Sequence, residues 1–203
     1  MRQVWSFEDW STLEIKEAKT AFRKRSYGSP RLGELTVNDL CCLAAEERRS
    51  SPVGIYVFSR ESEILYVGKT HGRSLHERAI SHIDHRKPKK NSPHLAQFVT
   101  KLVKTGSASN ESEAVTHILN MNMTWLPIPN PGLSGRDHKT LIAHIERRLL
   151  WKECLDPKFN SERVKKNSTF NLAGSKYTLE SEMKLGDYSF LNPACNLSLP
   201  VVE

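Results

Sequence analysis

No apolar run in this 203-residue chain approaches the roughly 20 residues that a membrane-spanning helix needs. The opening residues carry Glu8 and Asp9 where a secretory signal would need an unbroken apolar stretch, so a cytoplasmic location is expected. Cysteine is scarce and poorly spaced: Cys41 and Cys42 are adjacent, Cys154 and Cys195 lie far off, and no C-x-x-C occurs. That pattern argues against a disulfide framework or a zinc ribbon and leaves the thiols as small buried hydrophobes. The histidines, from His71 to His144, show no H-x-x-x-H pair of the kind zinc sites use. Internal repeats and low-complexity tracts are also missing, which sets aside solenoids and linkers.

What the chain has in excess is positive charge, a formal +7 with a pI near 9.3. Its 38% hydrophobic and 26% charged residues are the balance of a globular domain, and 203 residues suffice for one well-buried core with appendages. The charge is clustered. From Arg86 to Asn110 there is no acid, while Arg86, Lys87, Lys89, Lys90, Lys101 and Lys104 all fall there. Arg23, Lys24, Arg25 and Arg31 form a second group, and Arg163, Lys165 and Lys166 a third. Such stretches attract a polyanion without reading its sequence, although each alone also serves as a solvated face.

Texture divides the chain into three. Residues 1–50 read as a helical N-terminal extension: Trp10, Leu13, Ala18 and Phe22 precede a break at Tyr27-Gly28-Ser29-Pro30, and the apolar run Leu40 to Ala45 follows, with Asn38 as candidate cap. Within it, Trp5, Phe7 and Trp10 are expected to pack into a core in preference to stacking on bases. Residues 51–162 form the central unit. Val53 to Phe58 and Ile64 to Val67 are β-rich runs around five polar residues, Ser59 to Glu63, so a hairpin with a five-residue loop is expected. Helices are expected over Ser74 to Ile83, over Leu95 to Val103 with Gly106 as stop, and over Ser112 to Leu119. Met123 to Ile128 suits a strand whose flanking prolines favour a sheet edge, residues 129–138 read as loop, and Thr140 to Cys154 as a strong helix. Residues 163–203, a C-terminal extension, have weak periodicity and turn signals at Ala173-Gly174-Ser175 and Leu191-Asn192-Pro193. The expected class is α+β: a small antiparallel sheet, a hairpin plus a third strand, flanked by helices.

Three features point to chemistry. Gly54-Ile55-Tyr56 and Tyr66-Val67-Gly68 place two tyrosines at one phase of adjoining strands, which lie only about 5 Å apart. Arg78 and His82, four positions apart on the following helix, share a face about 100° from the Leu75-Ala79-Ile83 stripe. A guanidinium clamps phosphate oxygens, while imidazole and phenol accept, donate or relay a proton. Glu146 follows Ile142 by four and Ile145 by one and precedes Leu149 by three, so its carboxylate sits within or beside a buried stripe. Acids are seldom there unless they hold a metal or are paired, here with Arg78 or a lysine.

In order, Gly54-Ile55-Tyr56, Tyr66-Val67-Gly68-Lys69-Thr70, Arg78-x-x-x-His82, a helical Glu146 and Pro157-Lys158-Phe159-Asn160 resemble the GIY-YIG nuclease domain over residues 53–161. Val67 stands where the family name has isoleucine, a conservative change on a strand. The resemblance implies that Tyr56 and Tyr66 flank the attacking water, with Tyr56 a candidate base helped by His82, and that Arg78 contacts the scissile phosphate. It further implies that Glu146 is the protein ligand of one Mg²⁺ or Mn²⁺ and that the Asn160 amide helps fix the site. Lys69 is a candidate phosphate contact, as are Arg86, Lys87, Lys89, Lys90, Lys165 and Lys166.

The activity so implied is metal-dependent hydrolysis of DNA phosphodiester bonds. The short chain and its extensions suit a sequence-specific type II restriction enzyme acting on double-stranded DNA as a homodimer or higher homo-oligomer. A structure-specific repair or recombination nuclease, a mobile-element nuclease and a non-catalytic nucleic-acid-binding module are the alternatives. No helix-turn-helix or zinc-finger reader accompanies the domain, which weighs against a modular homing enzyme.

Overall fold

Six of the seven residues of Gly54–Arg60 are buried, which suits only the middle strand of a sheet covered on both faces. The computed structural model describes residues 5–42, 53–61, 63–71, 75–83, 97–130, 132–151, 154–160, 169–172, 175–178 and 183–187. The elements are α1 (Phe7–Ser11), α2 (Ile15–Ser26), a 3₁₀ turn (Leu32–Glu34), α3 (Val37–Cys42), β1 (Gly54–Arg60), β2 (Glu63–Thr70) and α4 (Leu75–Ile83). They continue with α5 (Gln97–Lys104), α6 (Glu111–Leu119), β3 (Asn122–Pro127), α7 (Gly135–Leu150), β4 (Thr169–Leu172) and β5 (Ser175–Thr178). An antiparallel sheet of order β2-β1-β3 lies between helical layers, so the class is α+β as expected, with β3 on an edge.

Alternation along β1 assigns its two faces. Ile55 and Val57 join Ile64, Val67 and Leu126 against Trp10, Ile15 and Phe22 of the N-terminal segment and Leu141, Ile142, Ile145 and Leu149 of α7. Tyr56 and Phe58 join Leu65, Met123 and Trp125 against Leu75 and Ala79 of α4, Phe98 and Leu102 of α5 and Ile118 of α6. Trp5, Phe7 and Trp10 are core residues, at 8%, 6% and 0% exposure. Cys154 is buried as expected; the side chains of Cys41 and Cys42 and all of Cys195 lie outside the described residues. Among the described residues no helix is long and apolar enough to cross a membrane.

Four local expectations need correction. The polar run between the strands is not a five-residue loop: β1 continues to Arg60 and β2 starts at Glu63, with Arg60 paired to Glu63. Glu61 takes φ 54°, the left-handed conformation a tight hairpin demands. The cap of α3 is not Asn38 but Thr36, whose Oγ1 accepts from Asp39 N at 3.0 Å while Asp39 Oδ2 accepts from Thr36 N at 2.8 Å, the reciprocal pair that fixes a helix start. Helix α7 begins at Gly135, inside the expected loop, because Ser134 Oγ accepts from Asp137 N at 3.2 Å. It also stops at Leu150, where Trp151 turns to extended backbone, short of the expected Cys154. Beyond residue 163, β4 and β5 pair antiparallel, with Leu172 opposite Ser175, which weak periodicity did not foretell.

The terminal segments are tied to each other and, through Arg148, to α7. Ile15 N donates to Met183 O at 2.9 Å, Leu185 N to Leu13 O at 2.9 Å and Gly186 N to Ser11 O at 2.8 Å. Arg148 of α7 is fully buried, and its Nη1 donates to Lys184 O at 2.9 Å and Leu185 O at 2.8 Å.

Candidate functional site

The two tyrosines reach one side of the sheet through an irregularity. Phe58 pairs with Tyr66 but Ser59 pairs with Ile64, so Leu65 is an extra residue in β2. This bulge puts the consecutive residues Leu65 and Tyr66 in the same cluster and sends Ile64 to the opposite one. Tyr66 then stands diagonal to Tyr56, with ring centroids 6.1 Å apart, and Tyr56 lies directly opposite Gly68. A Cβ on Gly68 would sit 2.3 Å from both Cζ and Oη of Tyr56. The absent side chain is what lets the Tyr56 ring lie across β2, the edge strand.

His82 arrives from α4. Its Nε2 is 2.7 Å from Tyr56 Oη, and its ring meets Tyr66 at 4.8 Å and Phe98 at 5.8 Å, both edge-on. Phe98 of α5 also stacks on Tyr66 at 5.3 Å and Phe58 at 6.1 Å. This aromatic wall was not anticipated; Phe98 was legible only as a core residue of its helix. Burial first, then the Arg78 guanidinium, lowers the His82 pKa to about 4, so the ring is neutral near pH 7 and can accept the Tyr56 proton. Burial pushes the Tyr56 phenol well up, with Tyr66 and Glu146 adding to the rise and Arg78 opposing it. Tyr66 is raised by burial and then by Glu146. Arg78 and Glu146 therefore bear on both phenols. The Arg78 Nε is buried and has no hydrogen-bond partner among the described residues, a costly state for a donor unless an acceptor is to come.

Glu146 comes from α7, on the face of the sheet opposite Tyr56, and meets Lys69 at the β2 edge. Lys69 Nζ lies 2.5 Å from Glu146 Oε2. The carboxylate beside the buried stripe is thus paired, and with a lysine. Among the described residues no group of three His, Cys, Asp or Glu side chains that could hold a metal ion is found, and Glu146 by itself would offer a cation a single carboxylate. That donor set suits Mg²⁺ or Mn²⁺, which takes its remaining ligands from water and phosphate oxygens.

Asn160 lies against the outer rim of β2. Its Oδ1 accepts from Val67 N at 2.9 Å and its Nδ2 donates to Val67 O at 2.7 Å, copying a strand pairing between Tyr66 and Gly68. Phe159 N donates to Leu65 O at 2.8 Å beside it, and Lys101 Nζ donates to Phe159 O. Asn160 is therefore a positioning residue that holds the strand carrying Tyr66. Of the basic candidates, Lys69 is engaged as above and Arg23, Lys24 and Arg31 are exposed. Arg86, Lys87, Lys89, Lys90, Lys165 and Lys166 lie outside the described residues.

A second neutral imidazole, His144, is 1% exposed, and burial, then Arg148 and Arg147, lowers its pKa to about 3. Both histidines bind protons more weakly folded than unfolded, where the value is near 6.5. Above that pH neither state is charged. As pH falls below it the unfolded chain gains protons the folded chain refuses, so stability drops toward the folded values of about 4 and 3. At about 1.4 kcal/mol per pH unit and group, the loss between pH 7 and 5 is about 4 kcal/mol, or roughly 10 °C in Tm. Thermal melts at those two pH values check this, and equal Tm values would refute it.

No family model matches the chain, and neither a curated protein nor a solved structure matches it.

Proposed function

We propose that the chain is a metal-dependent DNA endonuclease of the GIY-YIG kind, acting as a sequence-specific type II restriction enzyme. One observation carries the reading: the buried Arg78 Nε, which has no acceptor among the described residues, beside a phenol already hydrogen-bonded to a neutral imidazole. A phosphodiester is an acceptor that also needs a proton relay at the neighbouring position.

In the reaction, Arg78 binds a non-bridging oxygen of the scissile phosphate and offsets the charge that grows there. Water attacks phosphorus in line with the 3′-oxygen. Its proton passes to Tyr56 Oη while the Tyr56 proton moves to His82 Nε2 along the 2.7 Å bond, which requires the Nδ1–H tautomer of His82. Phosphate beside Arg78 cancels part of the field that keeps His82 weakly basic, so the acceptor strengthens when substrate binds. The P–O3′ bond breaks, leaving a 5′-phosphate and a 3′-hydroxyl that takes its proton from solvent. Tyr66 packs against Tyr56 and His82 and fixes the ring positions. A Mg²⁺ or Mn²⁺ ion on Glu146 would supply positive charge to the phosphate and leaving oxygens. Cutting both strands with one site per chain calls for a homodimer or higher homo-oligomer.

Incubating the purified protein with a panel of phage DNAs in Mg²⁺ is expected to give discrete fragments. Nicking confined to forks or flaps would replace restriction with structure-specific repair. Binding without any cleavage would leave a nucleic-acid-binding module.

A further inference from the structure

Lys69 adjoins Gly68, over which Tyr56 crosses to the sheet edge, and its ammonium lies against Glu146 Oε2. The two side chains are 37% and 15% exposed. A pair open to water on one side contributes little to folding, so stability alone is a weak reason for it. Its place is more informative: the carboxylate is the one assigned to the cation, and the ammonium already supplies positive charge there. Resting on the nuclease reading above, we propose that Lys69 is an internal counter-cation, which neutralises Glu146 while no phosphodiester is bound and releases it when one arrives.

The consequence is coupled loading. Without DNA, a divalent ion must displace an ammonium from Glu146 and binds weakly. A phosphate at the β2 edge gives the displaced ammonium a new partner and gives the ion a further oxygen ligand. Each of the two ligands then raises the affinity for the other by the same factor. The acid–ammonium pair also keeps an uncompensated carboxylate away from the two buried phenols between turnovers, where Glu146 already raises both pKa values.

Mn²⁺ binding to the full chain without DNA, followed by the electron paramagnetic resonance of the free ion, tests this. Lys69→Met is expected to bind Mn²⁺ about tenfold more tightly than the wild type, equivalent to about 1.4 kcal/mol. Lys69→Arg should stay within about twofold of the wild type, because it keeps the charge. A 5′-phosphorylated deoxydinucleotide should tighten Mn²⁺ binding several-fold in the wild type and less in Lys69→Met. The Mn²⁺-induced rise in Tm should be larger for Lys69→Met, a readout that loss of packing alone does not move. Lys69→Gln, with a polar head of similar reach, reports the same shift if the methionine variant melts too low to titrate. Unchanged or weaker Mn²⁺ binding in Lys69→Met and Lys69→Gln overturns the counter-cation role while Glu146 stays a ligand. Undiminished binding in Glu146→Gln overturns the ligand assignment on which the proposal rests.

Discussion

Glu146→Ala is expected to slow cleavage of plasmid DNA in Mg²⁺ by on the order of 10³-fold or more, while DNA affinity changes by no more than a few-fold. The sign of this effect separates two roles for the carboxylate. Glu146 raises the pKa of both Tyr56 and Tyr66, so deleting its charge eases ionisation of the phenol that takes the proton. If that field were its whole contribution, the alanine variant would cleave as fast as the wild type or faster. A large loss identifies the carboxylate as the group that brings a cation to the phosphate. Binding is spared because the truncation also frees the Lys69 ammonium, which has affinity for the DNA backbone. Supercoiled-plasmid nicking and a gel-shift assay on the same preparation measure both quantities, and full residual activity would refute the metal role.

Gly68→Ala should also be damaging, although it adds a single methyl group. A Cβ there would stand 2.3 Å from Tyr56 Cζ and Oη, far inside contact distance. The backbone of β2 cannot retreat easily, because Asn160 grips Val67 on one side and β1 holds the other. The phenol has to move, and with it goes the 2.7 Å bond to His82. Misplacing a reacting group by about 1 Å costs roughly 10²-fold in rate, and overpacking of this kind costs about 1–3 kcal/mol in stability. In a Tyr56→Phe background the same substitution should reduce the rate little further, since the relay is already gone. Wild-type cleavage by Gly68→Ala would show that Tyr56 does not act from the position described.

The parts of the site legible in the sequence were those that obey a period. Two glycine-bounded β runs announced the hairpin, four-residue spacing put Arg78 beside His82, and Ile142, Ile145 and Leu149 marked Glu146 as an acid beside an apolar stripe. What stayed hidden departs from periodicity or joins distant segments. One extra residue at Leu65 changes which side chains share a face, and no pattern of residue types encodes an insertion that Phe159 and Asn160 stabilise from outside the hairpin. The Lys69–Glu146 pair spans 77 positions, and a lysine was only one of the partners the stripe allowed. The misplaced cap of α3 has a smaller cause. Thr36 and Asn38 are both capping residues, and only Asp39, three after Thr36, decides between them.

The guanidinium of Arg148 has a practical consequence for anyone trimming the molecule. One continuous apolar cluster draws on Trp10 and Phe22 from the first segment, Ile145 from the site helix and Leu185 from the last. Arg148 ties these together through two carbonyls, at Lys184 and Leu185. A shortened protein spanning 51–162 would take away both carbonyls that hold Arg148 and leave a slab of greasy surface bare, on the very helix that carries Glu146. The chain's flanks are its keystone, and any minimal unit cut from this sequence has to keep them or replace Arg148 as well.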